Sequence, residues 1–530
     1  MVYVCVFVAL VCLGGKLGLA QSSPKNIGRE QAVSYHLTEE DLQRRSVVEL
    51  LRYGKQLFNA NWTEQEGAGR PLMKGTTRPL ADPAKPLSGM RAFNRVSAPD
   101  ANSCLGCHNL PHGGGGGDFA ANVFVLGQRF DFFASDGDKR PTVSSADEQG
   151  RPVNLFSAGN LRASVGMFGA GYIEMLAREI TADLQQIRDQ MAMGETRSLT
   201  SKGIYFGELR RGKDGMWDSR RVLGIPRQSL EAPTPVDKPS LIIRPWHAAS
   251  NAISLREFSN NAFHQHHGIQ PVERFGLNND PDGDGVVNEI SRADITAVSL
   301  YQAALPVPGR VIPRDKEIEA AILRGEAVFE KIGCSSCHMP ELPLTKAGWS
   351  FTEPGPYNPP TNARTGEIPL VGMDLTDGEL PQPRLYPDRD RPHLIYVPVY
   401  TDFKLHDITD PADAGAGEPL DQNETIWSPK FRNGNRLFLT KRLWGCANEP
   451  PYFHHGQFTT LRQAVLAHHG EALASRQKFQ LSAVYDQDSL IEFLKSLQVL
   501  PPGTRATTVD ENFKPRAWPP GASDRLSSRQ

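Results

Sequence analysis

The chain has 530 residues, with 58 Lys+Arg against 60 Asp+Glu and a formal net charge of −2. That balance excludes the basic field that a nucleic acid or an anionic membrane surface would call for. Hydrophobic residues make up 39%, beside 48 Gly and 41 Pro, so about three or four average domains of core would be joined by long irregular connections. The only membrane-like stretch is at the extreme N-terminus, which excludes a polytopic membrane protein and predicts no membrane span in the mature chain.

Residues 1–14, MVYVCVFVALVCLG, form an apolar run, and GLA at 18–20 places small residues before Gln21. This pattern reads as a secretory signal peptide over 1–20, cleaved after Ala20, and predicts a periplasmic or otherwise exported protein. An uncleaved N-terminal anchor is the alternative, and it also leaves the chain exported. Cleavage removes Cys5 and Cys12 and leaves Cys104, Cys107, Cys334, Cys337 and Cys446. Exported cysteines ordinarily pair as disulfides. Four of these instead form two C-x-x-C-H units, Cys104-Leu-Gly-Cys107-His108 and Cys334-Ser-Ser-Cys337-His338.

The chemistry of that pentapeptide is specific. Two thiols three positions apart on one turn can add across the two vinyl groups of a porphyrin, and the next residue, His, then supplies its imidazole to the iron. Zinc would need the two distant cysteine pairs to close one tetrahedron, and neither zinc nor a redox dithiol accounts for the His after each pair. Two covalently bound haem c groups are therefore the expected cofactors. Cys446 is left over as a buried or free thiol.

Along the chain, SVVELLRYGKQLF at 46–58 has helical apolar spacing, with Gly54 four positions before Phe58. Past the first haem turn, His264, His266 and His267 cluster, and His264 and His267 would share one helical face. This cluster, His267 first, is the candidate for a ligand of the N-terminal haem or for hydrogen bonding around its propionates. Glu273, six residues on, is the candidate carboxylate for moving the protons of peroxide; an ion pair with Arg274 or another base is its structural alternative. Asp280-Pro-Asp282-Gly-Asp284-Gly285 sets carboxylates at alternate positions before a glycine turn, and the Val286 carbonyl would extend a Ca²⁺ shell. An ordinary Asp/Gly turn is the alternative.

The second half repeats this order. Residues 294–306 form a short amphipathic helix stopped by Pro306; then 316–329 repeats the G-x-x-x-F pattern at Gly325 and Phe329, before the second haem turn. Residues 339–400 are rich in Pro and Gly and read as a long surface loop. Residues 488–501 close the half as 294–306 close the first, and the tail over 506–530 reads as extended. The expected fold is thus mainly α, with two cytochrome-c-like helical domains at 40–310 and 311–505, both carrying long loop insertions. Trp217 and Trp246 are candidates for a place between the haems, with core packing the alternative.

Six stretches carry a family resemblance: CLGCHNLPHGGGG at 104–116, NNAFHQHHGIQPVERFG at 260–276, DPDGDGVVNE at 280–289, CSSCHMP at 334–340, YTDFKLHD at 400–407 and LWGCANEPPYFHHGQFTTLRQAVLAHHGEA at 443–472. In this order they resemble the di-haem cytochrome c peroxidase and MauG superfamily, and within it the di-haem oxidoreductase branch, also labelled thiol-oxidoreductase-like. The resemblance implies two c-type domains with a calcium ion near their interface and a peroxidatic N-terminal haem. It also implies a distal ligand to the C-terminal iron shortly after TTLRQAV, where relatives usually carry Met. His468 stands at that place, followed by His469; His406 is the second candidate.

The expected function is peroxidase-type: reduction of hydrogen peroxide with electrons from a small soluble donor, a c-type cytochrome or a cupredoxin. A non-catalytic di-haem electron carrier and a MauG-like oxidase of a protein or organic substrate are the alternatives. The state of each iron's sixth position separates them.

Overall fold

The computed structural model describes residues 27–69, 101–122, 145–146, 152–153, 160–281, 283–413, 416–424 and 428–520. The signal peptide expected at 1–20 and the candidate ligand Asp282 lie outside the described residues.

Each haem turn is approached by a capped helix that crosses a later one. Val47–Asn59 starts at Ser46, whose hydroxyl accepts the Glu49 N–H while the Glu49 carboxylate returns to the Ser46 N–H. Its buried face, Leu50, Tyr53, Gly54, Leu57 and Phe58, packs on helix Arg292–Ala303. At the crossing a Cβ on Gly54 would collide with the carbonyl oxygen of Ala297. In the second half, Lys316–Ile332 begins at Asp315 and packs on Val484–Ser496, where a Cβ on Gly325 would collide with the Ser489 carbonyl. Both glycines of the repeated motif thus let two backbones meet where no side chain fits.

The fold class departs from expectation. The described residues hold eleven α-helices but also sixteen short strands, in seven small sheets, so the fold is mixed α/β rather than mainly α. The strands come from segments in which helical periodicity is absent. Thr196–Ser201, Ile204–Arg211 and Trp217–Val222 form an antiparallel meander behind the long helix Ala170–Asp189, whose buried residues include Tyr172, Ile173, Leu176, Ile180 and Leu184. The stretch 339–400 is likewise not a surface loop. Leu342–Thr345 pairs with Leu394–Val397 and Ser350–Glu353 pairs with Val371–Asp374, and these ribbons bury Leu342, Leu344, Phe351, Ile395 and Val397 in the main core. Alternation over four residues is too short to stand out among prolines, yet it buries one face of each ribbon.

A second, smaller core joins Val328, Phe329, Ile332, Tyr400, Cys446, Phe479, Leu490, Phe493 and Leu494 around the C-terminal haem turn. Thr508–Val509 returns to lie parallel to Gly309–Val311, and Trp518 Nε1–H donates to Glu326 at 2.9 Å. No helix among the described residues is long and apolar enough to cross a membrane.

Overpacking a close helix crossing costs about 1–3 kcal/mol. Gly54→Val and Gly325→Val are each expected to lower unfolding free energy by that amount in urea titrations, and an exposed control, Leu323→Val, by far less.

Candidate functional site

The two C-x-x-C-H turns are built alike. In each, the first Cys carbonyl accepts two amides: Cys107 at 3.2 Å and His108 at 3.0 Å from Cys104, and Cys337 at 3.4 Å and His338 at 3.0 Å from Cys334. None of the four cysteines forms a disulfide. Burial, helped by the neighbouring thiol, pushes Cys104 and Cys334 up to about 12, so both are protonated. Cys446 lies buried in the second core beside the C-terminal turn, with its thiol against the Leu494 carbonyl, and also lines the cavity.

Both turns open into one continuous cavity of about 390 Å³, lined by Cys104, Cys107, His108, Cys334, Cys337 and His338 together. Sequence positions more than two hundred residues apart therefore share a single interior space. Burial lowers the His108 and His338 imidazoles to about 4, hence neutral at physiological pH, as a metal-bound imidazole must be. Their orientation follows from one hydrogen bond each. Nδ1–H of His108 donates to the Gly115 carbonyl at 3.1 Å, and Nδ1–H of His338 to the Tyr400 carbonyl at 3.2 Å. A carbonyl cannot donate, so Nδ1 carries the proton and Nε2 keeps its lone pair.

His468 is arranged in the same way. Its Nδ1–H donates to the Ala464 carbonyl at 2.7 Å, and burial lowers its pKa. It lines the cavity, and its ring centroid stands 6.4 Å from that of His338. Two metal–nitrogen bonds of about 2 Å, with roughly 1 Å more from each nitrogen to its ring centre, together span about 6 Å. His406, the second candidate, is committed elsewhere: Nδ1 meets Glu471 at 2.7 Å and Nε2 meets Asp402 at 2.9 Å. Burial opposes its charge, but Asp402, Cys337 and Glu471 outweigh that and raise it to about 11, so it stays an imidazolium with no lone pair for iron. With Cys337 and Asp402 it forms the one cluster of three metal-type donors among the described residues.

At the N-terminal turn the structure redistributes the expected roles. His267 lies on a π-helical turn, Phe263–His267, that extends helix Leu255–Ala262. Its Nδ1–H donates to the Ala101 carbonyl at 2.9 Å, and Nε2 lies 3.6 Å from the Cys104 sulfur. It thus directs its second nitrogen at an attachment thiol. His264 packs on Phe275 and does not line the cavity. His266 does line it, close enough for its charge to act on both His108 and His247. His247, Arg162 and Arg442 complete this polar wall, with Trp246 beneath the Arg442 guanidinium at 5.8 Å. Trp217 instead lies on the meander against Arg211.

Glu273 does not face the cavity. Its carboxylate is wholly occupied by Arg256, by Asn260 Nδ2–H at 3.1 Å and by the Ala363 N–H at 3.0 Å. Arg256 also pairs with Glu353 at 2.9 Å, so Glu273 belongs to a buried ion cluster that holds the cavity-lining helix Leu255–Ala262 in place. Glu273 is therefore placed in an ion pair, the structural alternative, with Arg256 rather than Arg274 as its partner.

In the candidate calcium loop, Asp280 accepts the amides of Gly283 at 2.8 Å, Asp284 at 3.2 Å and Gly285 at 3.0 Å. Asp284 accepts the Val286 amide at 2.8 Å, yet burial and the neighbouring Asp280 charge push its carboxyl up.

His247, Arg162 and Arg442 carry no motif. They reach the cavity from a turn, a strand edge and the segment before Cys446, and only tertiary structure joins them. The spacing of prolines around Trp246-His247 is the one local sign of a constrained turn.

A family match accompanies this geometry. Residues 393–497 match the family described as "Di-haem oxidoreductase, putative peroxidase". The matched segment carries His406 and His468. No curated protein matches the chain. Among solved structures, hydrazine synthase of Kuenenia stuttgartiensis is 14% identical, with 93% of this chain and 100% of that chain covered, at a TM-score of 0.33. The diheme peroxidase BthA of Burkholderia thailandensis is 12% identical, with coverages of 67% and 95% and a TM-score of 0.24. A variant of that peroxidase is 13% identical, with coverages of 67% and 94%, at 0.24.

Two haems fit what these residues present: paired thiols, neutral carbonyl-anchored imidazoles and an apolar interior. Removing one partner of a buried ion pair costs about 3–5 kcal/mol. Glu273→Ala is therefore expected to lower unfolding free energy by that amount, while the pH dependence of any peroxide reaction stays unchanged.

Proposed function

We propose that the chain is an exported di-haem c-type oxidoreductase that reduces hydrogen peroxide with electrons from a small soluble c-type cytochrome or cupredoxin. The observation that carries this reading is the asymmetry of the shared cavity. At the C-terminal turn two neutral imidazoles face each other at the span of one metal ion. At the N-terminal turn the His108 imidazole is anchored by one carbonyl, and the cavity-lining His266 and Arg442 act on it electrostatically.

In this reading Cys104, Cys107 and His108 would hold one haem, and Cys334, Cys337 and His338, with His468, would hold the other. When bound, the haems supply the redox chemistry. The chain's own work is orientation and exclusion of water. The Gly115, Tyr400 and Ala464 carbonyls fix the ring tautomers, and the apolar walls keep bulk solvent from the space between the two lobes. Asp280, Asp282, Asp284 and the Val286 carbonyl would hold a calcium ion, whose charge would offset the burial and the Asp280 repulsion that raise Asp284.

Three outcomes test the reading. Peroxide should oxidise reduced donor catalytically in the mature protein, and its absence, with both irons unreactive to added ligands, would favour a non-catalytic carrier. His468→Met should raise the potential of the C-terminal haem alone, measured by spectroelectrochemistry, since Met/His ligation gives a higher potential than a second imidazole. Calcium chelation should lower the melting temperature, with recovery on adding Ca²⁺ but not on adding Na⁺.

A further inference from the structure

With Glu273 buried in an ion cluster, the peroxide-reducing reading lacks a group to move protons. We infer that His247 is that group, with the guanidinium of Arg162 fixed beside it. This inference rests on the peroxide-reducing reading above and extends it.

Four observations carry the assignment. The His247 imidazole lines the same cavity as Cys104, Cys107 and His108. Among the described residues neither of its ring nitrogens has a hydrogen-bond partner; its ring meets only the edge of Phe258, at 4.8 Å between centroids. His266 acts electrostatically on both His108 and His247, so the three imidazoles surround one lobe of the cavity.

The backbone supplies the fourth observation. His247 has φ of 63°, in the left-handed region that residues with a β-carbon enter only at a cost. The surrounding turn enforces this conformation. Ser250 N–H donates to the His247 carbonyl at 3.0 Å, the Ser250 hydroxyl to the Arg244 carbonyl at 2.5 Å, and Leu439 N–H to the Ala248 carbonyl at 2.7 Å. The turn thus spends its hydrogen bonds on pointing one histidine inward.

Arg162 is equally fixed. It is ion-paired with Glu418 and donates Nη2–H to Gln422 at 3.1 Å, and its charge acts on His247 more strongly than that of His266. Burial together with that charge lowers the His247 imidazole to about 3, so it is a neutral base throughout the physiological range.

The proton chemistry balances as follows. The O–H bond of the near peroxide oxygen breaks and an N–H bond forms on His247. That proton passes to the far oxygen as the O–O bond breaks, and the far oxygen leaves as water with the bonding pair. Arg162 stabilises the negative charge that gathers there. Two electrons from the reduced donor protein and two protons from solvent convert the near oxygen into the second water.

The test uses the mature di-haem protein and two probes, hydrogen peroxide and cyanide, since hydrogen cyanide must also surrender a proton on binding. Asn tolerates left-handed backbone, so His247→Asn keeps the turn. It should slow both reactions by about 10²–10⁴-fold and leave the spectra of both oxidised haems unchanged. His247→Glu, which restores a proton acceptor, should recover part of the peroxide rate. Wild-type rates in His247→Asn overturn the inference, as does a change of spin state, which would make His247 an iron ligand. A wild-type protein that ignores peroxide but binds cyanide in a His247-dependent way supports the proton-acceptor role and overturns peroxide as the substrate.

Discussion

An imidazole can serve an iron only when its other nitrogen is held, and one backbone carbonyl does this for each of three histidines. Gly115, Tyr400 and Ala464 receive the Nδ1–H of His108, His338 and His468. Each bond fixes tautomer and ring direction at once, and each acceptor lies on a segment that must be folded before it can act. Gly115 sits in the glycine-rich loop just after the first turn, where a Cβ would collide with the Leu110 carbonyl, so the loop folds back onto His108 only because no side chain intervenes. Tyr400 belongs to the smaller core, which couples the direction of His338 to the packing of Phe329 and Phe493.

The two lobes repeat one plan and then diverge. Helix, glycine crossing and haem turn recur in both, and the added material differs: a long helix and meander follow the first turn, and two short ribbons follow the second. Those additions give the molecule its mixed character and supply the side chains that differentiate the lobes. Arg162, His247 and Arg442 reach the cavity beside the first turn, while His406, Glu471 and Arg476 line it beside the second, so the two ends differ in which polar groups they present.

Much of this was legible in residue order. Covalent spacing is local chemistry, so C-x-x-C-H points to its use without tertiary information, and helical periodicity with Gly54 and Gly325 marks both crossings. His468 was reachable because it follows a helix at fixed spacing. Sequence says least about residues whose surroundings depend on distant partners. Glu273 resembles a pocket carboxylate until Arg256 and the Ala363 amide are brought to it, and His406 resembles a ligand until Asp402 and Glu471 take both ring nitrogens. The mainly α expectation failed because most of the strands have only two to four residues, which leaves almost no periodic trace among prolines and glycines.

Two irons in unlike surroundings are the centre of this account, and electron paramagnetic resonance of the oxidised mature protein addresses them most directly. The account predicts one low-spin iron with two imidazole ligands and a second, distinct iron whose signal changes when an exogenous ligand such as cyanide is added. Two indistinguishable low-spin irons that ignore the added ligand, or a protein without iron, would contradict it.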